Sequence, residues 1–201
     1  MTCGALVLAG GKSSRLGFDK ALIRLDGQPL VEWLPAFLSR FFTPVAVVAD
    51  RHDRYTLKVP LLTDAVPEAG PLAGIVAGLQ TLATPRLFVC AVDMPLLRPQ
   101  LLEHLRRLSK GFDLTIPAHT RGYEPLCAIY SYSILPIIRQ RLEQRQLRLH
   151  DLPQILHTRV VMEREWQEDD PDGDSFLGIN TLDDFCHLRN RAYLLSHSLE
   201  R

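Results

Sequence analysis

Short apolar runs alternate with longer segments whose apolar residues recur at helical spacing, and this alternation predicts the fold. The most apolar runs, at 4–10, 45–49 and 86–93, predict buried strands. Weaker runs predict further strands at 61–64, 113–118, 125–130, 159–162 and 176–180. Helical spacing, together with prolines suited to first turns, predicts helices at 29–41, 71–83, 99–109, 132–147, 151–157 and 181–196.

Strands that alternate with helices indicate an α/β fold with a mainly parallel sheet and helices on both faces. We therefore expect a Rossmann-like three-layer sandwich. The 201 residues suit one domain, and the sequence shows no internal repeat and no linker. In such sheets ligands bind beyond the carboxyl ends of the strands, so the residues that follow each strand matter most.

Three local patterns predict structure in more detail. The polar, acidic run EREWQEDDPDGD at 163–174 predicts a solvated loop. Gly74 and Gly78 share one face of a predicted helix, which indicates close packing on the sheet. Thr181 and Asp184 have the spacing of a capping box at the start of the last helix.

Charge and composition exclude some classes of protein. Lys plus Arg equals Asp plus Glu at 23 each, which argues against a nucleic-acid binder. No apolar run approaches the roughly 20 residues of a membrane helix, and MTCGALVLAGG reads as a first strand, not a signal peptide. The cysteines are scattered and predict free thiols in a cytoplasmic protein: Cys3, Cys90, Cys127 and Cys186.

The stretch LAGGKSSRLGFDK at 8–20 contains Gly-Lys-Ser, but it is not a P-loop. A Walker A motif would need glycine where Leu6 stands, and the paired glycines also break the dinucleotide fingerprint G-x-G-x-x-G. Gly10 and Gly11 nevertheless follow a strand directly, where backbone can approach a ligand and adopt positive φ easily. With Arg15 and Lys20 nearby, the stretch predicts phosphate binding by another route.

Polar side chains also follow the other predicted strands. Asp50, Asp64 and Asp93 each come at or just after a strand end, and Asn180 ends the run at 176–180. One or two carboxylates completed by phosphates and water commonly hold magnesium. Aspartate after a strand is also a common turn former, so each residue alone leaves both readings open.

These motifs together resemble the molybdenum cofactor guanylyltransferases (MobA-like nucleotidyltransferases). The first stretch is similar to the family signature L-x-G-G-x-S-x-R-x-G-x-D-K. GPLAGI (70–75), VDMP (92–95), EPLCAIY (124–130) and INTLDD (179–184) follow in the family's order and spacing. The resemblance spans about residues 4 to 190.

The resemblance implies a nucleotide-diphospho-sugar transferase-like fold that uses Mg²⁺ and transfers GMP from GTP to the phosphate of molybdenum-molybdopterin, releasing pyrophosphate. It implies a nucleotide-binding part at about 1–110 and an acceptor-binding part at about 111–201. It also implies transient contacts with cofactor-biosynthesis proteins and recipient molybdoenzymes, and no nucleic-acid or membrane partner.

The resemblance also assigns roles to single residues. Arg15, Lys20 and Asp93 are the implied catalytic residues, with Asp93 as the metal ligand. The implied nucleotide-binding residues are Leu8, Ala9, Gly10, Gly11, Lys20, Asp50, Asp64 and Asp93.

Two positions depart from the family pattern. Asp50 stands near a frequent Asn, and Gly178 replaces the first Asn of N-x-N-T. Expected acceptor-binding residues are Arg121 and Asn180. A basic cluster after the helix at 132–147 is either a further anchor or a solvated helix end: Arg145, Arg148 and His150.

Two alternatives remain at this point. A cytidylyltransferase of the same superfamily, acting on molybdenum cofactor or another phosphorylated acceptor, would share the first motif. A catalytically inactive nucleotide-binding module would show erosion of Arg15, Lys20 and Asp93, but all three are present.

Overall fold

The computed structural model describes residues 2–10, 19–64, 66, 69–179, 181 and 184. The strands in these ranges are β1 (Cys3–Leu8), β2 (Arg24–Leu25), β3 (Gln28–Pro29), β4 (Val45–Ala49), β5 (Leu61–Thr63), β6 (Arg86–Ala91), β7 (Leu114–His119), β8 (Gly122–Tyr123), β9 (Cys127–Ser131) and β10 (Thr158–Met162). The α-helices are α1 (Leu30–Leu38), α2 (Pro71–Leu82), α3 (Pro99–Leu108), α4 (Leu135–Glu143), α5 (Leu152–Ile155) and α6 (Glu163–Trp166). Short 3-10 helices lie at Lys20–Leu22, Tyr132–Ile134, Leu149–Asp151 and Asp174–Phe176.

Eight of the described strands form one sheet, in the order β10-β7-β9-β6-β1-β4-β5, with β8 paired to β7. β1 pairs in parallel with β4 and β6, β4 with β5, and β7 with β10. β9 lies between β6 and β7 and runs antiparallel to both. The predicted α/β fold with a mainly parallel sheet is confirmed.

Helices cover both faces of the sheet and bury two apolar clusters. Side chains of successive strand residues point to opposite faces, so Val7 joins the cluster beneath α1 and α3 while Leu6 joins the cluster beneath α2 and α4. Pro71 and Pro99 begin α2 and α3, where a missing N–H costs no helical hydrogen bond. This arrangement is the predicted three-layer sandwich.

The β2–β3 hairpin was not predicted, because each strand has only two residues and gives no apolar periodicity. Its turn did carry a signal. Asp26 and Gly27 both have positive φ, 50° and 79°, and Asp-Gly is the dipeptide preferred in tight hairpin turns of this kind.

Two predictions for the end of the chain are wrong. Residues 176–180 do not form a strand in their described part: a 3-10 turn at Asp174–Phe176 leads to one backbone hydrogen bond, from Ile179 N–H to the carbonyl of Asp93 at 3.0 Å. The acidic run at 163–174 is not a solvated loop, because it contains α6 and buries the carboxylates of Asp170 and Asp174. The apolar residues at 176–180 indicate burial in the core, and not pairing with a strand of the sheet.

Several smaller predictions agree with the structure. Cys3, Cys90 and Cys127 are free and buried, while Cys186 lies outside the described residues. The backbone N–H of Thr181 donates to Asp184 and the backbone N–H of Asp184 donates to the Thr181 hydroxyl, as in a capping box; the rest of the predicted last helix lies outside the described residues. None of the helices in the described ranges has the length and apolar composition of a membrane span.

The two helical glycines of α2 pack against the sheet as predicted. A Cβ atom at Gly78 would lie 2.5 Å from Cδ2 of Leu6, and one at Gly74 would lie 2.9 Å from Cδ2 of Leu8. Leu6 is fully buried, so its side chain has little room to move away. The glycines therefore set how closely α2 approaches β1.

Gly78→Ala is expected to destabilise the protein by about 1–3 kcal/mol, because overpacking at Leu6 outweighs the better helix propensity of alanine. Urea unfolding measures the change. Gln80→Ala, at an exposed position of the same helix, is the control and should change stability by less than about 0.5 kcal/mol. A stabilised Gly78→Ala protein would contradict the packing argument.

Candidate functional site

Four neighbouring parallel strands end level with one another. Leu8 of β1 is the Cα partner of Val48 in β4 and of Ala91 in β6, and Ala49 pairs with Thr63 of β5. The residues that follow these strand ends therefore gather at one edge of the sheet, which we call the carboxyl edge.

Backbone hydrogen bonds continue beyond the strands and fix the first residues of this edge. Ala9 N–H donates to the carbonyl of Val48 at 2.8 Å, and Val92 N–H donates to the carbonyl of Leu8 at 3.0 Å. Asp64 N–H donates to the carbonyl of Ala49 at 3.3 Å. The side chains of Leu8 and Ala9 are buried, so at these two positions the chain presents mainly backbone to a ligand.

Lys20 and Asp93 meet at the carboxyl edge although they are 73 positions apart in the sequence. Lys20 Nζ donates to Asp93 Oδ2 at 2.8 Å, and each side chain is about one-fifth exposed. A cation from the first motif and a carboxylate from the loop after β6 thus share one accessible position, where charged ligand groups can reach both.

Asp19 holds the segment that carries Lys20. Its Oδ1 accepts from the N–H of Ala21 at 3.1 Å and caps the 3-10 helix that Lys20 begins. Its Oδ2 accepts from Arg54 Nη2 at 2.9 Å and from the Tyr55 hydroxyl at 2.7 Å. Burial and the Asp19 hydrogen bond raise the pKa of Tyr55, so its hydroxyl keeps the proton that it donates.

Arg54 also reaches the residue after β4. Its Nη1 donates to Asp50 Oδ1 at 2.6 Å, and this bond lowers the pKa of Asp50 although more than half of that side chain is exposed. Arg54 therefore joins Asp50 to Asp19. The sequence analysis missed Arg54 and Tyr55, because a loop with no periodic spacing gave no signal for either.

Asp64 carries the strongest sign of a ligand at this edge. Burial, and then the charge of Asp50, raise its pKa to about 6. Its Oδ1 is buried and, within the described part of the chain, accepts no hydrogen bond. Cβ atoms built at Gly10 and Gly74 would lie 3.9 Å from Oδ2 and 3.3 Å from Oδ1, so two glycines border this carboxyl. A buried acceptor without a donor costs stability unless a ligand supplies one.

Gly10 does not use the backbone freedom that glycine provides. Its φ lies outside the left-handed region, so the expected positive φ is absent there. A Cβ atom would be 3.8 Å from the backbone nitrogen of Asp50. A side chain at this position would therefore contact both aspartates at ordinary van der Waals distance, and glycine keeps the backbone accessible beside them.

The remaining predicted residues lie elsewhere. Arg121 is exposed in the turn between β7 and β8, at the same edge but three strands from β1. The basic cluster after α4 is exposed: Arg145, Arg148 and His150. Gly11, Arg15 and Asn180 lie outside the described residues.

Asp93, the predicted metal ligand, lies at the carboxyl edge with about one-fifth of its side chain exposed. Among the described residues, no group of three or more His, Cys, Asp or Glu side chains is placed to hold a metal ion. Such an ion would need most of its oxygen ligands from the substrate and from water, which is the usual coordination of magnesium in phosphate-binding sites.

Comparison with known proteins shows the family of the chain. Residues 5–157 match the family described as the MobA-like NTP transferase domain. A Chloroflexus aggregans protein named a probable molybdenum cofactor guanylyltransferase is 35% identical over 92% of this chain and 92% of its own length. A Desulfosudis oleivorans protein named molybdenum cofactor guanylyltransferase is 30% identical over 89% of this chain and 90% of its own.

A solved structure is also similar. The crystal structure of molybdopterin-guanine dinucleotide biosynthesis protein A from Archaeoglobus fulgidus covers 94% of this chain and 98% of that chain, with 28% identity and a TM-score of 0.81. The two chains therefore share the same overall fold.

Asp64→Asn is expected to stabilise the ligand-free protein at pH 8 by about 1–2 kcal/mol, given about 1.4 kcal/mol per pKa unit and partial exposure of the carboxyl. The Asp64 pKa rises from 3.8 to about 6 on folding. Between these two pH values the folded protein therefore keeps a proton on Asp64 that the unfolded chain loses. The wild type should therefore lose stability as pH rises through this window, and the loss is complete above it.

Urea unfolding of both proteins at pH 4, 6 and 8 measures this difference, which should shrink towards zero at pH 4. Asp53→Asn, the same substitution at an exposed position, is the control. A stability difference that is the same at all three pH values would contradict a raised pKa at Asp64.

Proposed function

The chain belongs to the family of MobA-like NTP transferase domains, and we propose that it transfers GMP from GTP to the phosphate of molybdenum-molybdopterin. An oxygen of the molybdopterin phosphate attacks the α-phosphorus of GTP in line. The bond from the α-phosphorus to the bridging oxygen breaks, and pyrophosphate leaves with the electron pair. The reaction needs no covalent intermediate on the protein, so positioning and charge stabilisation supply the catalysis.

The observation that carries this proposal is the Lys20–Asp93 pair at the level ends of β1 and β6. The pair places one cation and one carboxylate together where backbone from the first motif also arrives. The ammonium has three N–H donors, so Lys20 can keep its bond to Asp93 while it donates to a phosphoryl oxygen. It offsets the negative charge that grows on the α-phosphoryl oxygens during transfer.

The nucleotide binds along the backbone of Leu8, Ala9 and Gly10. Asp64 supports this placement, because its unpaired buried oxygen faces the same edge and can accept from a hydroxyl or amino group of the nucleoside. Asp50 lies beside it and stays ionised through Arg54. Gly11 and Arg15 line the triphosphate, as the motif implies.

A divalent cation fits the residues at Asp93. Members of this class of enzyme use a divalent metal in general, and we propose Mg²⁺. When bound, the ion supplies positive charge that stabilises the transferring phosphoryl group and the pyrophosphate leaving group. The hydrogen bond from Lys20 holds the Asp93 carboxylate in place at this edge.

The acceptor binds along the second part of the chain. We assign nucleotide binding to about residues 1–110 and acceptor binding to about 111–201, with Arg121 and Asn180 as acceptor contacts. The position of Arg121, on the carboxyl edge but away from β1, supports this division. Transient contacts with cofactor-biosynthesis proteins and recipient molybdoenzymes, and a cytoplasmic location, belong to the same proposal.

The base and the metal are tested together by thermal stabilisation with GTP, CTP, ATP and UTP, each with and without Mg²⁺. Binding to the folded state raises the apparent melting temperature by mass action. We expect a shift with GTP that Mg²⁺ increases, followed by formation of the dinucleotide and pyrophosphate when molybdenum-molybdopterin is added. A shift with CTP instead would identify a cytidylyltransferase, and nucleotide binding without transfer would identify an inactive binding module.

Asp93→Ala should lower the transfer rate at least about a hundredfold, the scale of losing one preorganised charged group. The fold should stay intact, because the Lys20–Asp93 pair is partly exposed and contributes at most about 1 kcal/mol. Pyrophosphate release measures the rate and urea unfolding the stability. The control is Asp53→Ala, which removes an exposed carboxylate; an Asp93→Ala enzyme with wild-type activity would remove Asp93 from the mechanism.

A further inference from the structure

The buried carboxylates of the acidic run all meet one arginine. Asp170 and Asp174 are 0% and 1% exposed, and both lie against Arg98, the residue before α3. Arg98 Nη2 donates to Asp174 Oδ2 at 2.9 Å, and Arg98 Nε lies 3.6 Å from Asp170 Oδ1. Burying a carboxylate is costly without a paired cation, so Arg98 is what allows this run to enter the protein.

Backbone hydrogen bonds make the contact rigid. Asp170 accepts from the N–H of Asp174 at 3.0 Å and from the N–H of Ser175 at 2.8 Å, which closes a tight turn. The N–H of Arg98 in turn donates to the Ser175 hydroxyl at 2.8 Å. Arg98 thus binds the turn through its guanidinium group and through its backbone N–H.

Arg98 ends the loop that carries Asp93, and the turn leads to the segment that precedes Asn180. Within that loop Met94 and Leu97 are buried in the core. Beyond the turn, the N–H of Ile179 donates to the carbonyl of Asp93 itself. The loop at 92–98 and the segment at 174–179 are therefore joined at two points, one at Arg98 and one at Asp93.

We propose that Arg98 is a positioning residue for transfer: through Asp170, Asp174 and Ser175 it fixes the segment at 174–179 against Asp93. This inference deepens the proposed function and rests on it. Arg98 itself contacts no substrate. It keeps the distance and orientation constant between the Asp93 carboxylate and the segment that leads to Asn180, the predicted acceptor contact.

The guanidinium is suited to this task where an ammonium is not. Arg98 presents separate nitrogens to two carboxylates at once, whereas lysine offers a single point charge. Arg98→Lys should keep the buried carboxylates compensated but hold only one of them. Arg98→Gln should lose both contacts.

The test compares steady-state transfer and amide hydrogen exchange in wild type, Arg98→Gln and Arg98→Lys. We expect kcat to fall at least tenfold in Arg98→Gln, KM for the pterin acceptor to rise, and KM for GTP to stay within twofold. Arg98→Lys should recover part of kcat. Exchange of the amides at 174–179, including Ile179, should quicken in the order wild type, Lys, Gln.

Arg141→Gln is the matched control, because it removes another partly buried arginine ion pair, with Asp151, that belongs to neither segment. It should change neither the KM ratio nor the exchange at 174–179. If Arg98→Gln does not fold, the proposal is tested with Arg98→Lys alone, by the same kinetic and hydrogen-exchange measurements. Wild-type exchange and kinetics in the Arg98 variants, or equal changes in Arg141→Gln, would overturn the proposal.

The two proposals fail in distinguishable ways. If the wild type transfers no GMP, the proposed function fails, while the exchange measurement still reports whether Arg98 holds the segment at 174–179. If the wild type is active and the Arg98 variants match it, only the positioning role fails.

Discussion

The parallel register of β1 with β4 and β6 is the constraint on which the rest of the structure depends. It makes Leu8, Val48 and Ala91 end level, so the chain segments that leave these strands emerge side by side. A shift of one residue in either pairing would turn each strand's side chains to the opposite face and bury the wrong set. The apolar core on both faces therefore fixes the strand register, and the register fixes the relative positions of the site residues at the carboxyl edge.

The charges at this edge are arranged in two unlike groups. Asp19 and Asp50 are tied to Arg54, and Asp93 is tied to Lys20, so these three carboxylates have a cation at hydrogen-bonding distance. Asp64 has none among the described residues, and burial together with the charge of Asp50 raises its pKa. The Arg54 pairs hold the protein's own segments in place, whereas the Lys20–Asp93 pair is accessible to charged ligand groups. The Asp64 carboxyl is the one that a ligand can complete with a hydrogen bond.

Much of this could be predicted from the sequence. The run VAVVA coincides with β4, and the aspartates after the strands lie where the parallel-sheet rule places them. The contact between Lys20 and Asp93 was not predictable from spacing, because it depends on the strand register. The resemblance supplied the roles of both residues but not their bond.

The burial of the acidic run was missed for a related reason. Composition describes Asp170 and Asp174 as solvated, and their compensating cation lies 76 positions from Asp174 in the sequence. The β2–β3 hairpin differs, since its Asp-Gly turn is a local signal for a hairpin although its two-residue strands show no periodicity. Apolar periodicity therefore predicts the long strands and helices of this fold. It gives no information about ion pairs between distant residues or about strands of two residues.

The antiparallel strand β9 divides the sheet into two parallel blocks, β5-β4-β1-β6 and β7-β10. β9 runs antiparallel to β6 on one side and to β7 on the other. The strands of both blocks therefore run in the same direction, and their carboxyl ends lie at the same edge of the sheet. Among the described strands the two blocks are hydrogen-bonded to each other only through β9, and side chains of β7 and β10 pack in the same apolar clusters as those of β1. Residues that leave β7 and residues that leave β1 therefore emerge at one edge of the sheet, so a single ligand bound there can contact both blocks at once.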